Sequence, residues 1–219
     1  MTIPYGHTFW EWQIKKENTM SDIQYMEKPD WVSWDSIREC LNASHQTNKK
    51  KGFEMENAHI TTDGVIKKFG DCRVFIALEG DKVVGVSCFK LMKRRRWYVN
   101  GTIVYYLGDA ILPEYRGSEV YFGINDLRDK AVNESGVRIH QFNTSADNKT
   151  VIKMNKIYGY KLVQFTPTAK GCNYYSVTMV RWDNGCPFPE WFINFMFNLS
   201  KFVSKALWKP GYRWRFWFY

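Results

Sequence analysis

The sequence lacks the patterns that mark several classes of protein. Its five cysteines are odd in number, widely spaced and never arranged as C-x-x-C, so neither a zinc site nor a disulfide framework is indicated. No run approaches the roughly 20 apolar residues of a membrane span. Residues 1–20 mix Trp and Phe with His, Glu and Lys, unlike a signal peptide. We therefore expect a soluble cytoplasmic protein with reduced thiols, or one that lies peripherally on the inner face of a membrane.

Acidic residues are scarce at the C-terminal end. The 219-residue chain has a net charge of +9 and is 45% hydrophobic and 17% aromatic, and residues 186–219 hold 13 aromatic, five basic and one acidic residue. A basic protein favours an anionic partner, which includes a nucleotide cofactor, a nucleic acid and a lipid surface. We divide the chain into an N-terminal extension at residues 1–20, a domain at residues 21–185 and a helical, aromatic tail at residues 186–219.

Hydrophobic periodicity and turn residues predict the first half of the domain. We expect a strand at residues 21–27, a helix from about Trp31 with Ser33 as its N-cap, a loop at residues 48–52, and a second helix at residues 62–69 that ends at Gly70. Two β-rich runs joined by residues 79–82 predict a hairpin. The arginines at positions 94–96 are expected to interrupt the chain before a third strand at residues 103–112.

The sequence of the second half of the domain predicts a β-α-β crossover followed by the strands that complete the sheet. A helix after Gly117 would bury an apolar stripe and end at Gly136, the stripe being Val120, Ile124, Leu127 and Ala131. A strand at residues 137–143 follows, and then a helix capped by Asp147 that would bury Val151, Met154 and Ile157. Strands at residues 160–165 and 174–182 complete a β-α-α-β-β-β-α-β-α-β-β order. This order predicts an α+β domain built on one mixed sheet.

The segment from Pro113 to Gly117 has the features of an anion site. A strand ends in Pro-Glu-Tyr-Arg-Gly and leads directly into a helix, where glycine permits close approach and the helix N-terminus favours negative charge. Arg116 could add charge-assisted bonds to phosphate. The alternative is a tight turn whose arginine is merely solvated.

Two longer segments strengthen the prediction of an anion site. ILPEYRGSEVYFGINDL at residues 111–127, followed by NKTVIKMNKIYGYKLV at residues 148–163, resembles the GNAT superfamily of acyl-CoA-dependent N-acyltransferases. The hairpin FIALEGDKVVGVSCFKL at residues 75–91, with Gly85, is similar to the second and third strands of that family. The resemblance extends over roughly residues 23–182 and implies the GNAT fold.

The resemblance also implies a site and a reaction. Acyl-CoA, as acetyl-CoA or another acyl donor, would lie where the strand at residues 103–112 splays from the strand at residues 137–143, and no metal is expected. Its pantetheine arm would pair near Ile111 and Leu112 and contact Asn148. Its pyrophosphate would lie on the backbone of Arg116, Gly117, Ser118, Glu119, Val120 and Tyr121. A primary amine would attack the thioester directly, and the enzyme would align the reactants and remove a proton.

The sequence departs from the family pattern at two places. Glu119 and Tyr121 replace two glycines of the pyrophosphate loop, and a carboxylate beside a pyrophosphate is unfavourable unless it points to solvent. Asn155 replaces the tyrosine that protonates the leaving thiolate, and an amide cannot act as an acid. A water molecule, or Tyr174 or Tyr175, would have to serve instead.

Two residues are candidates for the general base. Asp109 lies on one flank of the expected gap, and its alternative role is to pair with Arg116. His140 lies on the other flank, and its alternative role is that of a hydrogen-bonded core histidine. With Asn155, these residues form the predicted catalytic set.

The tail predicts an amphipathic helix from Pro189. It could cover one side of the domain or form a homodimer interface, since amphipathic helices usually face a core. It could also lie in a membrane surface, because its apolar face carries Trp and Phe while Lys flanks it. Nucleic acid is the partner that we rank last.

Taken together, these features predict that the chain is an N-acyltransferase. The acceptor would be a primary amine, and the tail favours an amino sugar or a cell-envelope precursor. The acceptor site would be built around residues 31–62 and the loop at residues 166–173. The alternative is a GNAT-fold binding module with weakened catalysis that attaches to a membrane or a partner through its C-terminal helix.

Overall fold

The fold is one seven-stranded sheet with five α-helices in the residues that the structure describes. The structure, a computed structural model, describes residues 23–50, 61–167 and 174–207. The strands are β1 Ile23–Glu27, β2 Arg73–Glu79, β3 Lys82–Arg96, β4 Val99–Ile111, β5 Ile139–Ser145, β6 Lys161–Pro167 and β7 Tyr175–Trp182. The helices are α1 Trp34–Lys50, α2 Thr62–Phe69, α3 Val120–Glu134, α4 Lys149–Ile157 and α5 Glu190–Leu207, with a 3-10 turn at Pro113–Tyr115.

The sheet has the order β1-β2-β3-β4-β5-β7-β6. Neighbouring strands are antiparallel except β4 and β5, which are parallel and joined through α3. A parallel pair needs such a crossover because its strands run in the same direction. The predicted order of elements and the α+β class are confirmed.

Helices cover both faces of the central strands. A side chain at Gly85 would point into α3, and Ser87 two residues later contacts Arg128 of the same helix. Gly108 instead faces the Phe69 ring of α2. Because side chains alternate along a strand, these contacts place α3 and α2 on opposite faces. The largest buried cluster joins them and includes Ile37, Phe75, Ile76, Val84 and Ile124.

Two charged segments that we expected to be irregular are regular. Residues 48–50 of the expected loop at 48–52 belong to α1, while residues 51–52 lie outside the described residues. The arginines at 94–96 belong to β3. Those arginines pair with the first residues of β4, which begins at Val99 rather than at residue 103. Alternate side chains there are exposed, and the Arg94 guanidinium lies 5.4 Å from the centre of the Tyr105 ring. The strands of this hairpin are half exposed, so they can contain the arginines that we expected to end a strand.

Helix α4 differs from expectation in its cap and its buried face. Asn148, not Asp147, is the N-cap, and its side-chain oxygen accepts a hydrogen bond from the Val151 amide. No α4 residue is fully buried, and Ile157 is 78% exposed. The helix instead presents Ile152 to a small cluster around Phe165 and Val177. The predicted burial of Val151, Met154 and Ile157 is therefore wrong.

Helix α5 packs along β6. Ile193 of α5 joins a buried cluster with Tyr98, Ile103 and Val163, and Phe188, which lies just before the helix, packs against that cluster. Ser200 and Ser204 bond the backbone of Phe165 on β6. Across the described ranges, no helix has both the length and the apolar character needed to cross a bilayer. The predicted extension at residues 1–20 and the end of the tail at 208–219 lie outside the described residues.

Close packing of β3 against α3 generates a prediction for Gly85. A Cβ atom there would lie 2.5 Å from Ile124 Cδ1 and 2.8 Å from Ile111 Cδ1, so Gly85→Ala should lower the free energy of unfolding by about 1–3 kcal/mol. Urea unfolding measures the change. Gly108→Ala is the matched control, because its Cβ would make ordinary contacts at 3.5 Å; it should change stability by less than about 0.5 kcal/mol. Equal losses in the two variants would contradict the packing described here.

Candidate active site

The candidate site is a gap between β4 and β5. The two strands pair only from Val104 with His140 to Tyr106 with Phe142. Beyond Tyr106, β4 continues to Ile111 and β5 continues to Ser145 without further pairing to each other. The predicted splay is therefore present, and its apex lies at Tyr106.

A β-bulge explains why the strands separate there. In the β3–β4 ladder Cys88 faces Gly108 and Phe89 faces Tyr106, so that Leu107 has no opposite residue. A bulge bends its strand and increases the local twist. The bend falls next to the last residue of β4 that pairs with β5, and it directs the rest of β4 away from β5.

The separated part of β4 presents backbone groups to the gap. The Leu112 amide donates to Val84 O at 2.9 Å and so points to β3. Because successive peptide groups alternate in direction, the backbone groups of Asp109 and Ile111 point to the side that β5 has left. The Ile111 carbonyl accepts from Arg116 Nε at 3.4 Å and the Leu112 amide is used by β3, so the predicted pairing of pantetheine near Ile111 and Leu112 stays a prediction.

The turn after β4 is fixed by Arg116. Its Nη2 donates to Ser44 O at 2.9 Å and to Ser44 Oγ at 3.1 Å on α1. The guanidinium therefore holds the turn against α1. Gly117 follows with a φ of +80°, a conformation that glycine adopts at little cost. The predicted contact between Arg116 and pyrophosphate stays a prediction, and the geometry gives this residue a positioning role.

Helix α3 begins directly after this glycine. The Ser118 hydroxyl donates to Tyr115 O and accepts from the Val120 amide. Val120 is buried, and Glu119 is exposed at the N-cap position without a side-chain cap. Burial and then the Asp109 charge raise the Tyr121 pKa. The predicted pyrophosphate contact with this helix N-terminus stays a prediction.

Asp109 belongs to a charged cluster on the α3 face. The Ser87 hydroxyl donates to Asp109 Oδ1 at 2.5 Å, and Arg128 Nη1 lies 3.3 Å from Asp109 Oδ2. The Arg128 side chain is only 11% exposed. Burial acts to lower the Arg128 pKa, but the Asp109 and Asp129 charges raise it overall. The alternative role that we expected for Asp109 was an ion pair with Arg116. That expectation is wrong, because Asp109 pairs with Arg128 and Arg116 is bound to α1.

His140 lies in a hydrogen-bonded chain at the apex. Its Nε2 is 2.9 Å from Asp183 Oδ2, and its Nδ1 is 2.9 Å from the Tyr106 hydroxyl. Burial lowers the His140 pKa, against the opposing effect of Asp183, so the ring is neutral at pH 7. Since a carboxylate only accepts, Nε2 carries the proton and Nδ1 accepts from Tyr106. The chain runs from the apex to Asp183, whose side chain is 25% exposed.

Tyr106 connects the two clusters. The Arg128 guanidinium lies 4.6 Å from the centre of its ring, a cation–π distance. Burial raises the Tyr106 pKa, and the neighbouring Tyr160 has its pKa raised to about 12 for the same reason. Both phenols are therefore neutral hydrogen-bonding groups at pH 7.

The two predicted asparagines lie on α4. The Asn148 side chain is used as the N-cap. Asn155 Nδ2 donates to Val151 O at 2.9 Å within its own helix. Tyr175, a suggested acid, packs its ring 4.9 Å from that of Phe165. The predicted roles of these residues stay predictions, and part of the suggested acceptor loop, residues 168–173, lies outside the described residues.

The sequence analysis missed Ser87, Tyr106, Arg128 and Asp183. Arg128 carries a detectable signal, because it lies four residues after Ile124 at the edge of the apolar stripe of α3. Asp183 carries none, since it is 43 residues from His140 and the contact depends on the pairing of β5 with β7.

Other parts of the described chain hold fewer side chains that could bind a ligand or take part in a reaction. A cavity of about 440 Å³ lies at the opposite end of β5, lined by Thr102, Arg138, Ile139, Trp182 and Asn184 among others, and Arg138 is its one charged lining residue. Within residues 23–50, 61–167 and 174–207, no three His, Cys, Asp or Glu side chains come together as metal ligands. The gap is therefore the best candidate site.

Comparison with known proteins supports the fold. No protein-family model matches the sequence, and no curated protein sequence matches it. Among solved structures, the ribosomal-protein-S18-alanine N-acetyltransferase of Escherichia coli has a TM-score of 0.55 at 10% identity, over 77% of this chain and 97% of that one. A putative GNAT-family acetyltransferase of Desulfovibrio desulfuricans has a TM-score of 0.56 at 12% identity, over 74% and 99%.

A third similar structure was solved with coenzyme A. The PaiA N-acetyltransferase of Thermoplasma acidophilum has a TM-score of 0.52 at 12% identity, over 74% of this chain and 99% of that one. At these identities, the likeness is one of fold.

The burial of His140 generates a prediction of pH-dependent stability. Its pKa in the folded protein is below the ordinary value of 6.5, so the unfolded chain binds the proton more readily and stability falls as pH drops below about 6.5. His140→Gln should reduce this loss between pH 7.5 and 5.5, measured by thermal unfolding. Asp183→Asn is the opposite control: it removes the charge that raises the His140 pKa and should steepen the loss. Parallel curves for all three proteins would contradict a buried neutral His140.

Proposed function

We propose that this chain, which has the fold of the GNAT acetyltransferases, transfers an acetyl or other short acyl group from acyl-CoA to a primary amine. The observation that carries the proposal is the gap between β4 and β5, which opens beside the glycine turn and the N-terminus of α3. An extended backbone edge next to a helix N-terminus suits a donor with an amide-containing arm and a pyrophosphate.

The described residues fit such a donor. The Asp109 backbone and the Ile111 amide offer an edge to the pantetheine arm, while the Ile111 carbonyl is bound to Arg116. The amides of Arg116, Ser118 and Val120 donate within the turn. The pyrophosphate would therefore rely on the remaining amides, among them that of Gly117, and on the positive dipole end of α3. Acyl-CoA supplies the activated thioester, and attack by the amine nitrogen forms the amide bond while the carbon–sulfur bond breaks and the CoA thiol leaves.

The hydrogen-bonded chain at the apex gives the amine proton a path. An amine must lose a proton to yield a neutral amide, and a neutral His140 can accept one. The Tyr106 hydroxyl lies between the apex and His140 Nδ1, so it would take the proton from the amine as it passes its own to the imidazole. The Asp183 carboxylate would stabilise the imidazolium. Asp109 is less suited to this role, because Ser87 and Arg128 already occupy its two oxygens.

The acceptor class is the finer part of the proposal. An amino sugar or another amine precursor of the cell envelope is favoured by the exposed aromatic side of α5. The alternative function is a GNAT-fold module that binds acyl-CoA without turnover and attaches to a membrane or a partner through α5. It is supported by Glu119 and Asn155, which replace a glycine and an acid of the family pattern.

The exposed Glu119 at the N-terminus of α3 generates a prediction about donor binding. If the pyrophosphate lies there, Glu119→Gln removes a repulsive charge and should tighten acetyl-CoA binding about two- to five-fold at low salt. Calorimetry or a thermal-shift titration measures the affinity. Glu134→Gln, at the other end of the same helix, removes an equal charge and should leave the affinity unchanged. Equal effects of the two variants, or no binding by the parent protein, would refute the donor site.

A panel of primary amines, including amino sugars, separates the enzyme from the binding module. We expect release of the CoA thiol with at least one amine, and a rate about tenfold or more lower in Tyr106→Phe, because the proton path is broken. Tyr105→Phe removes a neighbouring hydroxyl outside that path and is the control. If acetyl-CoA binds but no amine releases the thiol, the binding module is the better description.

A further inference from the structure

Helix α5 exposes a stripe of large apolar side chains. Trp191 is 70% exposed, Phe195 56%, Leu199 43% and Phe202 72%. At about 100° per residue, these four and the exposed Ala206 fall within roughly 80° of the helix circumference. We call this set the outer stripe.

The outer stripe is distinct from the face that anchors the helix. Ile193 and Ser204 are buried against the sheet, and the Phe197 ring packs edge-on to Phe165 at 6.3 Å. The helix is therefore held on the domain mainly through this other face. Large aromatic groups exposed in one contiguous patch generally mark an interaction surface.

The charged residues beside the outer stripe are mostly basic. On its polar side lie the exposed Lys201 and Lys205, together with Asn194 and Asn198. The one acidic residue of the helix, Glu190, lies at its first position, with an oxygen 4.0 Å from Lys161 Nζ. In sequence, residues 208–219 continue the same character, with seven aromatic and three basic residues and no acid.

The exposed area argues against a second copy as the occupant. A fully buried aromatic side chain contributes roughly 150–250 Å², so the outer stripe offers on the order of 400 Å². A stable protein interface needs about 800 Å² from each partner. Two copies that met through this helix would also bring their lysines together with little acid to balance them. A lipid surface needs neither shape complementarity nor opposite side-chain charges.

We propose that the outer stripe of α5 binds the surface of a bilayer that contains anionic lipids. Trp191, Phe195, Leu199 and Phe202 would enter the region between headgroups and acyl chains, where Trp is favoured. Lys201 and Lys205 would lie at the level of the phosphates. The helix would lie in the plane of the surface and the domain would remain in water. This binding is independent of acyl transfer, so either proposal can fail alone.

Vesicle sedimentation of the full chain tests the proposal. Phosphatidylcholine vesicles with and without phosphatidylglycerol are the probes. We expect binding that is stronger with phosphatidylglycerol and weaker in high salt. The double variant Phe195→Ser/Phe202→Ser should lower the partition coefficient about tenfold or more. Lys201→Gln/Lys205→Gln should weaken binding only to the anionic vesicles.

The matched control is Asn194→Ser/Asn198→Ser, which changes two exposed residues of the same helix without loss of apolar area and should bind as the parent does. Circular dichroism and thermal unfolding verify that each variant is folded. Three results would overturn the proposal: no binding of the parent to either vesicle, equal binding of the parent and the stripe variant, or a dimer in solution that the stripe variant abolishes. The last result would assign the stripe to a second copy.

Discussion

The candidate site depends on one local constraint, the bulge at Leu107. A parallel strand pair is normally stabilised by continuous pairing, yet β4 and β5 keep only three paired positions. The extra residue on β4 bends the strand immediately after Tyr106, so the later residues of both strands cannot be neighbours. The gap, its unpaired backbone edge and the position of the following turn all result from this bend. A regular β4 would close the gap and leave the helix N-terminus of α3 beside a continuous sheet.

The apex of the gap is polar, and its charges need partners because burial penalises them. Arg128 and Asp109 form one pair, and His140 and Asp183 form a second contact. The charged pair Arg128–Asp109 adds little net stability, since desolvation offsets its attraction, and the contact of Asp183 is with a neutral His140. They do fix geometry: Arg128 lies against the Tyr106 ring while His140 holds its hydroxyl. Tyr106 is thus oriented from two sides at the point where the strands part.

Local signals in the sequence predicted most of the elements but few of the contacts. The turn at residues 79–82 and the helix at 62–69 are correct because turn and capping chemistry act over a few residues. Arg94 was misplaced because charge alone does not end a strand whose outer face is solvated. Leu107 has no sequence signature, since a bulge is a property of the register between two strands. The predicted splay came from the family resemblance, and the partnership of His140 with Asp183 needed the β5–β7 pairing.

The position of α5 relates the two proposals to each other. The Phe165 amide donates to Ser200, and the Ser204 hydroxyl donates to the Phe165 carbonyl, so the second half of the helix lies beside the end of β6. Ser145, at the end of β5, and Thr166 of β6 both pair with Ser176 of β7. The second half of α5 therefore lies at the same end of the sheet as the opening of the gap. If both proposals hold, this placement brings the membrane-bound helix to the end of the sheet where the gap opens, which favours an amine presented at a membrane surface over a freely diffusing one.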